Sequence, residues 1–112
     1  FEKLRAMYNT LKPGGILGIT DHRSNSRVDG KGYTCEPCMI KDAEVVGFIY
    51  MGSSQINSNP KDTKDHPDGV WNLPPTLSTN GLSKKIIERE QKRFKRIGES
   101  DRYTLKFAKP SE

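Results

Sequence analysis

The sequence predicts an α/β fold in which helices and strands alternate within one small domain. Apolar residues between Phe1 and Leu11 recur at the spacing of one helical face. The turn Lys12 to Gly15 ends that helix, because proline cannot continue it and glycine reverses the chain at little cost. The uninterrupted apolar run Ile16 to Thr20 then indicates a strand covered on both faces, as in parallel sheets. A helix followed by a buried strand is the start of an α/β arrangement.

The later segments continue this alternation. Glu36 to Val46 carries an apolar face and predicts a second helix, and Phe48 to Gly52 follows it as a strand. Ser83 to Ile97 predicts a basic amphipathic helix with Ser83 as its N-cap. Tyr103 to Phe107 alternates with a period of two and predicts a final strand, antiparallel because only a short turn precedes it.

Two segments have the composition of loops. Ser24 to Tyr33, with the single apolar residue Val28, predicts a loop that could act as a lid. Residues 55–82 contain four prolines and many Asn, Asp and Ser, which predicts a long excursion anchored by Trp71 and Leu73. We expect residues 1–112 to form a single partial domain, because a chain beginning in the middle of a helix is typical of a fragment.

Composition restricts the class of protein. The chain has 112 residues, only 32% of them hydrophobic, and carries a net charge of +5. Seven basic residues against two acidic ones between Lys84 and Arg96 account for the whole excess. Such a helix permits nucleic-acid binding through phosphate contacts, but its charges surround most of the helix and favour an ordinary solvated surface. No apolar run approaches the roughly 20 residues that span a bilayer, so no membrane partner is predicted.

Cys35 and Cys38 form one C-x-x-C pair. A structural zinc site needs four ligands, and no histidine has the spacing to complete it, so we expect no metal. We favour a packing role at the start of the second helix over redox chemistry. A single pair of this kind suits a reducing cytosol, which makes the cytoplasm the expected compartment.

Asp21, His22 and Arg23 directly follow the first predicted strand. In open α/β sheets ligands bind beyond the carboxyl ends of strands, so these residues lie where a site is expected. The alternative is a solvated connection in which Asp21 makes only a local turn hydrogen bond. Both interpretations remain open from the residues alone.

Five segments carry a resemblance to a known family: Leu11-Lys12-Pro13-Gly14-Gly15, Asp21-His22-Arg23, Ala43 to Phe48, Asn57 to Asp62, and Ser100 to Phe107. Together they resemble the C-terminal half of a class I S-adenosylmethionine-dependent methyltransferase, in a group of predicted bacterial enzymes. The resemblance implies a partial Rossmann-like sheet made of strands five, six and seven, with the last strand antiparallel between its neighbours. It also implies S-adenosylmethionine as the cofactor.

The chemistry of methyl transfer, which the resemblance implies, suggests roles for the candidate residues. His22 would act as a general base, Asp21 would orient it, and Arg23 would bind an anionic group of the substrate. Asn59 and Asp62 would close over the substrate, although ordinary turn chemistry explains them as well.

Other polar residues receive structural interpretations. We expect His66 to face solvent, and Asp101 and Arg102 to form an ion pair or cap before the last strand. Trp71 is expected to serve packing, with stacking on a ligand as the alternative.

The family's glycine-rich cofactor loop and ribose-binding acid are absent from these 112 residues. Gly14 and Gly15 precede a strand, so they cannot aim amides from a helix N-terminus at a ligand. We therefore expect the chain to be inactive alone, with a missing N-terminal half or another polypeptide supplying the cofactor loop. Exposed sheet edges lead us to expect self-association.

Overall fold

The computed structural model describes residues 1–25 and 30–111. Four residues of the predicted lid, 26–29 with Val28 among them, lie outside the described residues. The chain forms three helices, three strands and one short 3₁₀ turn: α1 (Glu2–Thr10), β1 (Ile16–His22), α2 (Glu36–Val46), β2 (Ile49–Ser54), the 3₁₀ turn (Gly69–Asn72), α3 (Ile87–Ile97) and β3 (Arg102–Ala108). The α/β class with flanking helices is confirmed.

The three strands form one sheet in the order β1-β3-β2. β3 is antiparallel to both neighbours, so β1 and β2 run in the same direction on either side of it. Leu105 of β3 pairs with Ile19 on one side and with Ser53 on the other. The register shifts between Tyr50 and Gly52, which marks a bulge in β2. The predicted antiparallel last strand is therefore correct.

One face of the sheet carries the core. The alternating side chains of Tyr103, Leu105 and Phe107 are buried there, which explains the period of two in β3. The helices α1 and α2 cover this face with Leu4, Ala43 and the neighbouring Phe48 among others. Burying each large side chain contributes about 1.5–3 kcal/mol, so this layer supplies much of the stability.

The opposite face of the sheet is open. Ile16 and Ile49 are each 51% exposed and Met51 is 54% exposed. The prediction that Ile16 to Thr20 is covered on both faces is therefore wrong. Exposed and half-buried residues alternate along β1, because α1 and α2 both pack on the other side.

The third helix begins later than predicted. α3 starts at Ile87, and Ile86 is its N-cap. Ser83 is therefore not the cap; its carbonyl oxygen accepts a hydrogen bond from the amide of Ile86 at 3.0 Å and closes a turn before the helix. Phe94 is the fully buried residue of the helix. In the described part of the chain, no helix is long and apolar enough to cross a bilayer.

The excursion packs tightly onto the loop before α2. Gly69 has φ +60°, and a Cβ there would lie 2.1 Å from the carbonyl oxygen of Lys31. Gly32 has φ +87°, and a Cβ there would lie 2.4 Å from a methyl group of Val70. Both positions require glycine, because a side chain would separate the two segments. This contact places the residues after Gly69 near the end of β1.

The anchors of the excursion differ in part from the prediction. Leu73 is fully buried, as expected, but Trp71 is 47% exposed. Asn72 is fully buried instead, where its side-chain amide donates to the carbonyl oxygen of Ser78 at 3.0 Å. Polar hydrogen bonding within the excursion therefore replaces the tryptophan as an anchor.

Candidate functional site

His22 and Asp21 lie within β1 rather than after it. The strand continues two residues beyond the predicted end, because Asp21 pairs with Tyr103 and His22 with Arg102. The Asp21 carboxylate accepts a hydrogen bond from the backbone amide of His22 at 2.7 Å. The imidazole Nδ1 instead hydrogen-bonds the hydroxyl of Ser100. Ser100, rather than Asp21, therefore orients the ring.

The turn between α3 and β3 brings Ser100 to His22. Gly98 ends α3 with φ +86°, which glycine adopts without strain. The side-chain amide of Asn59 then donates to the carbonyl oxygens of Ile97 and Glu99, each at 2.7 Å. These bonds connect the turn to the excursion, so Asn59 helps to position the serine, and its expected role in closing over a substrate stays a prediction.

The Arg23 guanidinium contacts three neighbouring side chains. Its guanidinium lies 3.3 Å from the Glu36 carboxylate and 3.7 Å from that of Asp101, and it donates to Gln55 at 2.9 Å. An arginine held in this way joins the start of α2 to the start of β3. Its Nε is buried and has no hydrogen-bond acceptor among the described residues, and the substrate-binding role expected for Arg23 stays a prediction.

Asp62 lies at the centre of a buried hydrogen-bond network. Its carboxylate accepts from the Tyr33 hydroxyl at 2.8 Å and from Nε2 of His66 at 2.9 Å. The backbone amides of Lys64 and Asp101 each donate to it at 3.0 Å. Asp62 therefore joins four segments of the chain, and the substrate-binding role expected for it stays a prediction.

This network perturbs two acid groups. Burial would raise the pKa of Asp62, but the bonds from His66, from the Asp101 amide and from Tyr33 together hold that pKa below its ordinary value. Burial, followed by the bond to the Asp62 carboxylate, raises the pKa of Tyr33 far above its ordinary value. The pair is therefore an ionised carboxylate held by a neutral phenol.

The expectation that His66 faces solvent is wrong. Its side chain is fully buried and packs edge-to-face on Phe94, with ring centroids 5.2 Å apart. The imidazole thus connects α3 to the Asp62 network. Its spacing of four residues from Asp62 is the one sequence signal of this pairing, and it is a weak one.

Asp101 links the remaining charges. Its carboxylate lies 2.8 Å from Nζ of Lys64 and accepts from the backbone amide of Asn59 at 2.8 Å. The expected structural ion pair before the last strand is confirmed for this residue. The network of Asp62 and Asp101 is a rigid support beneath the end of β1.

A cleft of about 200 Å³ opens beside His22. One wall is the segment from Val70 to Thr76, which contributes the tryptophan and two prolines, and the other wall comes from β1 and the turn before β3. Its lining residues are His22, Val70, Trp71, Pro74, Pro75, Thr76, Glu99, Ser100 and Arg102. The cleft combines flat apolar walls with a histidine and an arginine, so it is the best candidate site.

The polar groups of the cleft have free bonding capacity. Nδ1 of His22 is taken by Ser100, and Nε2 has no partner in residues 1–25 and 30–111. Nε of Arg102 is buried and has no hydrogen-bond acceptor among the same residues. Arg102 lines the cleft as a residue, so its guanidinium supplies hydrogen-bond donors beside His22.

Two larger depressions lie elsewhere. One of about 310 Å³ runs between α1 and β1, and one of about 400 Å³ lies on the sheet beside Met51. The first is lined by Ala6, Met7, Thr10, Leu11 and Leu17, and Lys106 is the one ionisable residue in the second. Neither combines the acid, base and hydrogen-bonding groups found around His22.

Cys35 and Cys38 are joined by a disulfide. Cys35 is buried and is the N-cap of α2, accepting from the amide of Cys38 at 3.2 Å, so the expected place at a helix start is correct. The covalent link differs from the two unpaired packing residues that we expected. Since reducing compartments maintain few disulfides, this bond lends no support to a cytoplasmic location. Within the described ranges, no cluster of three potential metal ligands is present.

The basic surface of α3 is partly neutralised. Glu90 holds Arg93 at 2.6 Å, and Glu88 lies 3.5 Å from Lys92. The Arg93 guanidinium also covers the ring of Phe94, 4.8 Å from its centroid. These pairings favour a solvated helix over a phosphate-binding surface.

Comparison of the chain with known protein families, with characterised proteins and with solved structures finds no match.

Proposed function

We propose that this chain is the C-terminal, acceptor-binding half of an S-adenosylmethionine-dependent methyltransferase. The observation that carries the proposal is the position of β3, antiparallel between two strands that run in one direction. The helix α2 connects β1 to β2 as in a βαβ unit, yet the space between these strands is taken by β3. The resemblance implies this order for the last three strands of the family's partial Rossmann-like sheet.

The uncovered surfaces support the same proposal. Both helices that contribute to the core lie on one face of the sheet, while Ile16, Ile49 and Met51 are exposed on the other. The outer edge of β1 has no strand partner among the described residues. Further strands beside β1 and helices over the open face would complete a doubly wound sheet. Where those elements are absent, we propose that a second copy of this chain covers the open face of the sheet.

The residues of this chain do not fit the cofactor. The amide of Gly14 donates to the Lys109 carbonyl oxygen at 2.9 Å, and that of Gly15 donates to Lys12 at 2.8 Å. The diglycine turn therefore has no amides available to hold a ligand. We assign the cofactor contacts to other residues, earlier in the same polypeptide or on a second one, and derive no step through them.

The part of the reaction assigned to this chain is preparation of the methyl acceptor. Ser100 holds the His22 imidazole through Nδ1, which leaves Nε2 as the ring atom able to take a proton from an acceptor in the cleft. Trp71, Pro74 and Pro75 limit the orientations that the acceptor can adopt. The chain would orient the acceptor and remove its proton.

Calorimetric titration of S-adenosylhomocysteine tests whether the cofactor contacts lie outside this chain. We expect no heat with the 112-residue chain and saturable micromolar binding with a longer natural protein, or a complex, that contains it. Binding by the short chain would place the cofactor contacts here and contradict our assignment. Absence of binding in every form would refute the methyltransferase proposal.

A further inference from the structure

We propose that the His22 cleft binds a small phenol, with the hydroxyl group facing His22 and Arg102. The role of this ligand as a methyl acceptor rests on the proposed function, whereas its binding does not.

The volume of the cleft suits a ligand of one ring. An engineered apolar cavity of about 150 Å³ in another protein holds benzene. The cleft of about 200 Å³ therefore accommodates a benzene ring with one or two small substituents.

The apolar wall favours a flat ligand. Trp71, Pro74 and Pro75 line one side, and Trp71 is 47% exposed although the segment around it is firmly packed. An exposed indole between buried neighbours is costly to leave in water and gains free energy when another ring packs on it. Val70 adds a branched apolar contact beside it.

The polar wall calls for a group that both donates and accepts. His22 offers an acceptor at Nε2 when neutral, because Ser100 occupies Nδ1. Arg102 also lines the cleft, and its guanidinium carries N–H donors. A phenolic hydroxyl satisfies both, since it donates its proton to the imidazole and accepts from the guanidinium.

Other ligand classes satisfy this wall less well. Glu99 also lines the cleft, with its carboxylate 3.8 Å from Nη2 of Arg102. That negative charge opposes a ligand carboxylate, and a hydrocarbon leaves both polar atoms unpaired. A phenol enters neutral and becomes anionic only when its O–H bond breaks, the proton bonds to Nε2 and the electron pair stays on oxygen. The resulting phenolate lies beside the arginine and is a nucleophile.

Trp71 makes the test direct, because it is the one tryptophan in the sequence. Phenol, and toluene as an apolar match of similar size, are titrated into the 112-residue chain while the indole N–H signal is followed by NMR. We expect saturable movement of this signal with phenol and weaker binding of toluene. His22→Gln and Arg102→Gln should each weaken phenol binding about three- to tenfold, the effect of one hydrogen bond.

Lys106→Gln is the matched control, because Lys106 is exposed on β3 and lies outside the cleft. It should leave the affinity for phenol unchanged. Equal affinity for phenol and toluene, an unmoved indole signal, or unaltered binding by Arg102→Gln would overturn the proposal. If His22→Gln does not fold, Arg102→Gln decides alone. Phenol binding by this chain, with no S-adenosylhomocysteine binding by any longer natural protein or complex that contains it, would refute the methyltransferase and leave the phenol site in place.

Discussion

Nε2 of His66 lies 2.9 Å from the Asp62 carboxylate, and both side chains are fully buried. The pair connects the excursion to α3 through Phe94 and to β3 through the amide of Asp101. A buried carboxylate with several donors is stabilising only while every donor remains, because an unpaired buried group is costly.

Replacement of Asp62 should therefore destabilise the fold. We expect Asp62→Asn to lower the free energy of unfolding by about 2–3 kcal/mol, since a neutral amide loses charge-assisted bonds and presents its NH₂ group to donors. Urea unfolding measures the change. Asp65→Asn is the matched control, because the Asp65 side chain is 75% exposed and should cost far less. Equal effects at the two positions would argue against the network.

The Asp62 carboxylate should also make the free energy of unfolding depend on pH in the acid range. The pKa of Asp62 is lower in the folded protein than its ordinary value of 3.8, so in the acid range the unfolded chain binds the proton more readily. The stabilisation that Asp62 gives the fold is complete at pH values above its ordinary pKa of 3.8. It is lost as the pH falls through the lower pKa that Asp62 has in the folded protein. Urea midpoints between about pH 6 and about pH 3 should fall in the wild type and fall less in Asp62→Asn. Parallel curves would contradict this assignment.

The contact between the excursion and the loop before α2 should not tolerate a side chain at Gly69. Gly69→Ala should cost at least about 2 kcal/mol, because left-handed backbone alone costs roughly 1–2 kcal/mol and the methyl group would overlap the Lys31 carbonyl. Gly18→Ala is the control, since nothing lies within 4 Å of the added atom. Thermal unfolding compares the two, and a harmless Gly69→Ala would show that the contact does not form.

The open sheet face should cause self-association. We expect a dimer or larger species in light scattering at micromolar concentration, because exposed Ile16 and Ile49 lie on either side of Ala108 at one end of an uncovered sheet face. The double variant Ile16→Lys and Ile49→Lys should be monomeric. Lys84→Gln with Lys85→Gln is the control on a remote solvated segment. A monomeric wild-type chain would remove the proposal.

Nucleic acid should bind weakly. At physiological salt we expect no saturable binding of a labelled duplex in fluorescence polarisation, because Glu88 and Glu90 pair with basic residues of α3. Submicromolar binding that falls steeply with salt would restore the nucleic-acid alternative.

The order of helices and strands was readable from local patterns. Periodicity in Glu36 to Val46 and in Tyr103 to Phe107 reports which side of each element is buried, and that information lies within a few neighbouring residues. Errors arose where burial depends on distant segments. The apolar run Ile16 to Thr20 is a strand as predicted, but it cannot indicate that one side of its sheet is uncovered.

The candidate site was only partly readable. His22 stood out because an ionisable residue follows a strand, but its partner Ser100 is 78 residues away. The sequence by itself determined the α/β class, the element order and the end of β1 as the place to look for a site. Only the tertiary structure decided that Asp62 and His66 are buried together, that Arg23 is already paired, and that Trp71 forms a wall of the cleft. Hydrogen bonds and clefts form between segments far apart in the chain, and no local period records which of them meet.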